Sequence, residues 1–324
     1  MKVLLIGANG FGRLHLDSLN RMDVDIEVFA RNADALKEIA GNYSISHIYD
    51  DLPAALNSDA DVVDIVLPHN MHREIAVECM RRKKHVLIEK PIATEITDAA
   101  QMINAGKHEK VKFMVAEQYY FDTSANWVVE AIRSGKIGSV LSVLVRNQRL
   151  FGGTGWRVRK ETMGGGALVD GGVHFIDTFL NFGGEYSGVK AVSSKGISPI
   201  EEPDTTMSIF SFRSGAIGFL YYSWSYPHAP LVPGFEVVGT EGTIVEDVNT
   251  KPNADFKFMK GKRYAFGLPV LNGKPVDIDI ADAFDTEISG FLKSVREDTP
   301  VPMDPSLALR DLTAVKDIYS AASV

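Results

Sequence analysis

Residues 2–12 read KVLLIGANGFG, and this stretch decides the fold expected for the chain. The four apolar residues at positions 3–6 are typical of a strand that is buried on both faces. The glycine-rich turn after them leads into a segment with helical spacing. A strand, a tight turn and a helix in this order predict the first unit of an open α/β sheet.

The same alternation continues beyond this stretch. Further short apolar runs, rich in branched residues, predict buried strands at residues 26–30, 62–67, 86–88 and 113–116. Between them, residues 71–82 and 97–108 carry apolar side chains at helical spacing. Strands that alternate with helices predict a parallel sheet covered on both faces.

The pattern changes after about residue 118. A predicted helix at residues 124–134 is followed by runs that read as strands, at residues 140–151, 189–194, 207–212, 217–225 and 235–239. Consecutive strands predict an antiparallel or mixed sheet. Two apolar stripes near the end predict helices, and the polar connection at residues 247–261 reads as a surface loop.

Length and charge limit the class of protein. At roughly 100 to 200 residues per domain, 324 residues predict two domains. The chain has 34 basic and 42 acidic side chains, a net charge of −8, and no long basic run. Nucleic acids and anionic membranes need concentrated positive charge, so we expect neither as a partner. A small molecule is the expected partner.

Cysteine usage and hydropathy suggest a location. Cys79 is the only cysteine, so no disulfide can form within the chain and no cysteine-based metal cluster is available. No apolar run approaches the length of a membrane span. We expect a cytoplasmic protein.

The glycine-rich turn is a candidate phosphate-binding loop. A dinucleotide fold needs glycine after its first strand, because the backbone turns tightly and approaches a pyrophosphate at the helix amino terminus. The candidate residues are Gly7, Asn9, Gly10, Phe11 and Gly12. Asn9 stands where the usual fingerprint has its second glycine, and asparagine tolerates left-handed backbone geometry. The alternative is an ordinary strand-to-helix turn.

The end of the second strand bears on the choice of cofactor. NAD-binding proteins typically place a carboxylate there for the ribose hydroxyls, whereas this chain has Arg31 and Asn32. A guanidinium can pair with a 2′-phosphate, so the sequence favours NADP over NAD. The alternative is that Arg31 is a solvated residue at the end of a strand.

Motifs farther along the chain resemble a known family. Residues 67–72 read LPHNMH, residues 89–91 read EKP and residues 164–174 read GGGALVDGGVH. Together with the amino-terminal loop they resemble the glucose-fructose oxidoreductase, inositol dehydrogenase and rhizopine catabolism (Gfo/Idh/MocA) family of NAD(P)-dependent oxidoreductases. Residues 121–143 and the carboxy-terminal helices resemble it too, so the resemblance covers nearly the whole chain.

The resemblance implies a Rossmann domain, a doubly wound parallel sheet, over residues 1–118. It implies a second α/β domain with a large, mostly antiparallel open sheet over residues 119–324. It further implies that the carboxy-terminal helices return to the first domain and that the open sheet forms a homo-oligomer, a dimer or tetramer.

The resemblance also implies that Lys90, Asp170 and His174 form the catalytic set. On a helix, residues four apart share one face, so His174 can take a hydroxyl proton while Asp170 orients the ring or the substrate. Lys90 at the end of a Rossmann strand can reach the nicotinamide of the cofactor and the substrate oxygen together, and it can stabilise a developing alkoxide. The alternatives are a structural Asp–His pair and a surface ion pair between Lys90 and Glu89.

Secondary candidates surround this set. The resemblance implies cofactor contacts for Pro68, His72 and Glu89, although His72 also fits a structural hydrogen bond in the first turn of a helix. Aromatic faces and a guanidinium suit a sugar or sugar acid, which leads to four candidate substrate-binding residues: Tyr119, Trp156, Arg157 and Asp177. Trp156 also fits a core position. We predict no metal site.

The sequence therefore predicts an NADP-preferring oxidoreductase that acts on a secondary alcohol or ketone of a sugar, polyol or sugar acid. One alternative is a hydrolase or eliminase that oxidises a carbohydrate transiently with a bound dinucleotide. The other is a non-catalytic regulator that senses NAD(P).

Overall fold

The structure is a computed structural model, and it describes residues 1–30, 33–252 and 259–323. The chain divides into two compact units. The first comprises Met1–Glu117 and Phe284–Leu309, and the second comprises Gln118–Ala283 and the residues from Arg310 onward.

The elements of the described residues are numbered in chain order. The strands are β1 (Lys2–Ile6), β2 (Asp25–Phe29), β3 (His47–Tyr49), β4 (Val62–Ile65), β5 (His85–Glu89), β6 (Phe113–Ala116), β7 (Val140–Gln148), β8 (Tyr186–Ser194), β9 (Thr205–Phe212), β10 (Ile217–Ser223), β11 (Phe235–Gly239), β12 (Thr243–Glu246), β13 (Pro269–Leu271), β14 (Lys274–Pro275) and β15 (Ala322–Ser323). The α-helices are α1 (Phe11–Leu19), α2 (Ala33–Asn42), α3 (Leu52–Leu56), α4 (His72–Arg81), α5 (Ile96–Glu109), α6 (Thr123–Arg133), α7 (Lys160–Met163), α8 (Val173–Gly183), α9 (Ala283–Arg296) and α10 (Pro305–Ala321).

The sheet of the first unit confirms the predicted Rossmann arrangement. Its six described strands are parallel and lie in the order β3-β2-β1-β4-β5-β6. The order reverses between β1 and β4, and in open α/β sheets ligands bind at the carboxyl ends of strands at such a point. The sequence did not predict β3, because it is a three-residue edge strand that lacks an apolar run.

Helix α1 is fixed to this sheet by one face. Its buried residues include Gly12, His15, Leu16 and Leu19, which recur at the spacing of one helical face. Gly12 has no side chain, which lets the first turn approach the loop closely. The helix amino terminus is thereby held beside the carboxyl end of β1.

The second unit confirms the predicted mostly antiparallel sheet. Among the described residues nine strands lie in the order β14-β13-β12-β11-β7-β10-β9-β8-β15, with only the β7–β10 and β8–β15 pairs parallel. Helix α8 packs on β7 and β10. The predicted strand at residues 140–151 ends at Gln148, since Leu150 makes only an isolated bridge to Ser225.

None of the described helices combines the length and the apolar character that crossing a membrane requires.

Candidate active site

The glycine-rich loop joins β1 to α1. Gly7 has φ +98°, and a Cβ there would lie 2.0 Å from the carbonyl oxygen of Val66. A Cβ on Gly12 would lie 1.9 Å from the carbonyl oxygen of Gly7. Both positions therefore require glycine, because the obstructing atoms belong to the backbone.

The helix amino terminus in this loop is open to a ligand. Gly10 precedes α1 with φ +58°, no side chain caps the helix, and a Cβ on Gly10 would meet nothing within 4 Å. Asn9 and Gly10 are exposed, and Phe11 is half-buried. An uncapped helix amino terminus attracts negative charge, so the loop fits the phosphates of a dinucleotide.

The residues predicted to select the cofactor follow β2. This strand ends at Phe29. Arg31 and Asn32 lie outside the described residues.

Lys90 directly follows β5, at the carboxyl edge of the sheet. It is 4% exposed, and its ammonium group lies 5.9 Å from the ring centroid of Phe11, the first residue of α1. The Lys90–Pro91 peptide bond is cis. A lysine is rarely buried to this extent. The sequence predicted a catalytic role for this residue, which lies beside the glycine-rich loop.

Glu89 makes two hydrogen-bonding contacts within the first unit. Its Oε2 accepts the backbone N–H of Lys90 at 3.1 Å, and its Oε1 lies 3.0 Å from Nε2 of His15. The predicted contact between Glu89 and the cofactor stays a prediction. The structure adds a role that the sequence did not suggest, in which this carboxylate fixes the backbone beside Lys90.

The segment after β4 holds Pro68 and His72. Pro68 precedes a 3₁₀ turn at His69–Met71, and His72 begins α4 with its ring fully buried. Its Nδ1 lies 2.9 Å from the carbonyl oxygen of Pro91, and its Nε2 lies 3.0 Å from that of Leu67. Burial lowers the pKa of His72. The structural hydrogen bond that the sequence left open is therefore present, and cofactor contact stays a prediction.

Asp170 and His174 lie on consecutive turns in the second unit. Asp170 belongs to a π-helical turn at Leu168–Gly172, and His174 is the second residue of α8. Single π-helical turns within α-helices often occur at functional sites. Asp170 is fully buried and His174 is 6% exposed.

Two neighbours predicted from the sequence contact this pair. Nη2 of Arg157 donates to Oδ1 of Asp170 at 3.2 Å. The ring of Tyr119 stacks on that of His174, with centroids 4.3 Å apart and planes 13° apart. The guanidinium of Arg157 also lies 5.4 Å from the ring centroid of Trp156. The structure thus brings Tyr119, Trp156 and Arg157 to the proposed acid–base pair.

Asp177, one turn further along α8, makes internal contacts. Its carboxylate accepts hydrogen bonds from Arg310 and Asn181, each at 3.0 Å. The sequence gave no signal for Arg310, which lies 133 positions away. Substrate contact by Asp177 stays a prediction.

The sequence also missed the pair formed by His15 and Asp64. Nδ1 of His15 lies 2.9 Å from Oδ2 of Asp64, and both side chains are buried. Asp64 could have indicated this pair, because it is a carboxylate inside the apolar run at residues 62–67 that predicts a buried strand. Such a charge requires a partner.

The parallel sheet and the open helix amino terminus at its carboxyl edge define the class of a nucleotide-binding α/β protein. Residues 1–117 match the family described as "Oxidoreductase family, NAD-binding Rossmann fold", and residues 126–245 match "GFO/IDH/MocA C-terminal domain". The chain belongs to the Gfo/Idh/MocA family of oxidoreductases, as the sequence predicted.

Several relatives of this chain are named as sugar or polyol dehydrogenases. Myo-inositol 2-dehydrogenase of Thermotoga maritima is 25% identical over 93% of this chain and 90% of its own length. The NADP(+)-dependent scyllo-inositol 2-dehydrogenase of Bacillus subtilis is 27% identical over 89% of this chain and 88% of its own. Levoglucosan dehydrogenase of Pseudarthrobacter phenanthrenivorans is 28% identical, but the match spans 66% of this chain and 62% of that protein.

A solved structure shares the fold over nearly the whole chain. A crystal structure of an oxidoreductase from Thermotoga maritima superposes with a TM-score of 0.85 and 23% identity, covering 99% of this chain and 97% of that one. At this identity the likeness establishes the fold.

Proposed function

We propose that this protein transfers a hydride between a nicotinamide cofactor, preferably NADP, and a secondary alcohol or ketone of a sugar, polyol or sugar acid. The main support is the buried Lys90 at the carboxyl edge of the Rossmann sheet, next to the glycine-rich loop. The relatives named above include dehydrogenases of inositols and levoglucosan, which supports a carbohydrate-like substrate.

The catalytic roles follow from the chemistry of the side chains. The nicotinamide, when bound, accepts or gives the hydride at the reacting carbon. His174 takes the hydroxyl proton during oxidation and returns it during reduction. Lys90 stabilises the oxygen as negative charge develops on it.

Neighbouring side chains orient Asp170 and His174. Nη2 of Arg157 donates a hydrogen bond to Oδ1 of Asp170 at 3.2 Å and so holds the carboxylate in place. Tyr119 fixes the plane of the His174 ring by stacking. We assign substrate binding to Tyr119, Trp156 and Arg157. We also assign it to Asp177, whose carboxylate accepts a hydrogen bond from Arg310.

The test is turnover with NADP or NAD and a panel of sugars, polyols and sugar acids, followed by nicotinamide absorbance. NADPH fluorescence serves as the binding control. We expect turnover with one substrate class and faster turnover with NADP. Tight NADPH binding without turnover of any member of the panel, or release of a leaving group without a net change in cofactor, would contradict the proposal.

Arg31→Ala is expected to weaken NADPH binding about 10- to 100-fold, since hydrogen bonds to charged groups contribute roughly 1.5–3 kcal/mol. NADH lacks the 2′-phosphate, so its Kd should stay nearly unchanged. Fluorescence titration with both nucleotides measures this. Arg73→Ala, which removes an arginine that pairs with Asp98 on the surface, is the matched control. Equal weakening of NADH would show that Arg31 does not recognise the phosphate.

We also propose that the open sheet joins copies of this chain into a dimer or tetramer. On one face, β8, β9 and β10 expose the apolar side chains of Val192, Met207, Ile209 and Ile217, which are 43–62% exposed. Val192 pairs with Met207, and Ile217 pairs with Ser211, two residues from Ile209. Monomeric proteins rarely expose a large contiguous apolar patch.

Ile209→Asp is expected to shift the protein to monomers, because a charge at the centre of this face opposes its burial. Light scattering coupled to size-exclusion chromatography measures the mass. Ile197→Asp places the same charge at an exposed isoleucine outside the strands and should leave the mass unchanged. A wild-type protein that is monomeric at micromolar concentration would refute the assignment.

A further inference from the structure

A buried cluster of ionisable groups in the first unit includes Glu89, the residue that precedes Lys90. His15 of α1, Asp64 of β4 and Glu89 of β5 are each at most 5% exposed, and Glu287 of α9 is fully buried. Asp64 pairs with Leu87 in the sheet register. Glu89 lies two residues beyond Leu87, so Asp64 and Glu89 leave the sheet from the same face.

The imidazole of His15 joins the two carboxylates. Its Nδ1 is 2.9 Å from Asp64 and its Nε2 is 3.0 Å from Glu89. An ionised carboxylate only accepts hydrogen bonds, and a neutral imidazole has a single N–H. Only the imidazolium satisfies both contacts. Burial opposes this charge, yet the two carboxylates together raise the pKa of His15 well above its usual value.

Glu287 completes the cluster from α9. Both of its carboxylate oxygens are buried and have no hydrogen-bond partner among the described residues. Burial, together with the negative charges of Glu89, Glu117 and Asp64, raises the pKa of Glu287 well above its usual value, although His15 opposes the shift. The neutral form of Glu287 is therefore favoured, and His15 makes hydrogen-bonding contacts with Asp64 and Glu89.

Two residues of α1 contact the chain at the end of β5, where Lys90 lies. Phe11 and His15 are one turn apart on α1. Phe11 faces the ammonium group of Lys90, and His15 binds the carboxylate that accepts the Lys90 backbone N–H. Glu89, the last residue of β5, and Lys90, which follows it, thus contact two residues one turn apart on α1, the helix that follows the glycine-rich loop.

We propose that His15 is a positioning residue for Lys90: as an imidazolium between Asp64 and Glu89, it fixes the Glu89 carboxylate and through it the backbone of Lys90. The link from the glycine-rich helix to the lysine would keep the ammonium group in place relative to a bound nucleotide. The catalytic consequence rests on the proposed function, whereas the positioning itself can be measured without turnover.

The first measurement is the reactivity of individual lysines toward reductive methylation, read by peptide mass spectrometry in the absence of nucleotide. Lys84 is an internal control, because it is also buried in the first unit, at 5% exposure, and donates to the carbonyl oxygens of Ser58 and Ala60. In His15→Gln we expect Lys90 to react about tenfold faster, the effect of losing a hydrogen bond to a charged group, and Lys84 to react at its wild-type rate.

Glu89→Gln is the second variant, and it should reproduce the selective change at Lys90 even if His15→Gln does not fold. The double variant should add little to either single change, since both act on one contact. Equal acceleration at Lys84 and Lys90 would reveal general loosening of the unit and overturn the proposal. An unchanged rate at Lys90 in folded variants would overturn it as well.

Two further readouts separate the proposal from the proposed function. Nitrogen NMR of labelled histidine should show His15 as an imidazolium at pH 8, and a neutral ring would refute the proposal. With a turned-over substrate, His15→Gln should lower kcat about 10- to 100-fold, the effect of a small displacement of a catalytic group, with little change in the Kd of NADPH. If the wild-type protein turned over no substrate, the proposed function would fail, whereas the labelling and NMR results would still decide the role of His15.

Discussion

Lys90→Met is expected to lower turnover by about 10²- to 10³-fold while leaving the Kd of NADPH nearly unchanged. Methionine retains much of the length and apolar character of the lysine stem but lacks the ammonium group. Because that charge is needed where negative charge develops on the substrate oxygen, its loss should act on kcat. Stopped-flow or steady-state kinetics with the substrate found in the panel, together with NADPH fluorescence titration, measures the two quantities.

The control for this change is Lys107→Met, which removes the charge of an exposed lysine in the last turn of α5. It should alter neither kcat nor the Kd of NADPH. A Lys90 variant with weakened NADPH binding and unchanged turnover would contradict the catalytic assignment.

His174→Ala is expected to lower turnover as Lys90→Met does, with the Kd of NADPH nearly unchanged, because it removes the proton acceptor.

Gly12→Ala is expected to reduce the free energy of unfolding by about 3 kcal/mol and to abolish NADPH binding. The added Cβ would lie 1.9 Å from the Gly7 carbonyl oxygen and 2.9 Å from its carbon. These are backbone atoms, so the clash can be relieved only by opening the turn. Opening it moves the amino terminus of α1 away from the carboxyl end of β1. Thermal unfolding and fluorescence titration measure the two effects.

Gly41→Ala is the matched control. Gly41 lies within α2, and a Cβ there meets nothing within 4 Å. Alanine has the higher helix propensity, so this change should stabilise the protein by up to about 1 kcal/mol. Wild-type stability and wild-type NADPH affinity in Gly12→Ala would show that the loop does not need glycine at this position.

Local sequence predicted most of the first unit. Apolar runs and glycine depend only on neighbouring residues, and they predicted β1, β2, β4, β5 and β6 to within about two residues at their ends. The exceptions lacked such a signal. In the first unit, β3 is a short edge strand. In the second unit, the π-helical turn at Leu168–Gly172 has no distinctive local pattern.

In the candidate site too, local sequence predicted some features and tertiary contacts decided the others. The sequence by itself determined the strand–turn–helix unit, the glycine-rich loop and the positions of Lys90, Asp170 and His174 in their segments. Only the tertiary structure decided their partners: His15 for Asp64 and Glu89, and Arg310 for Asp177. These partners lie 49 to 133 positions apart, and a buried charge selects its partner by proximity in space, which the order of the strands and the packing of helices establish.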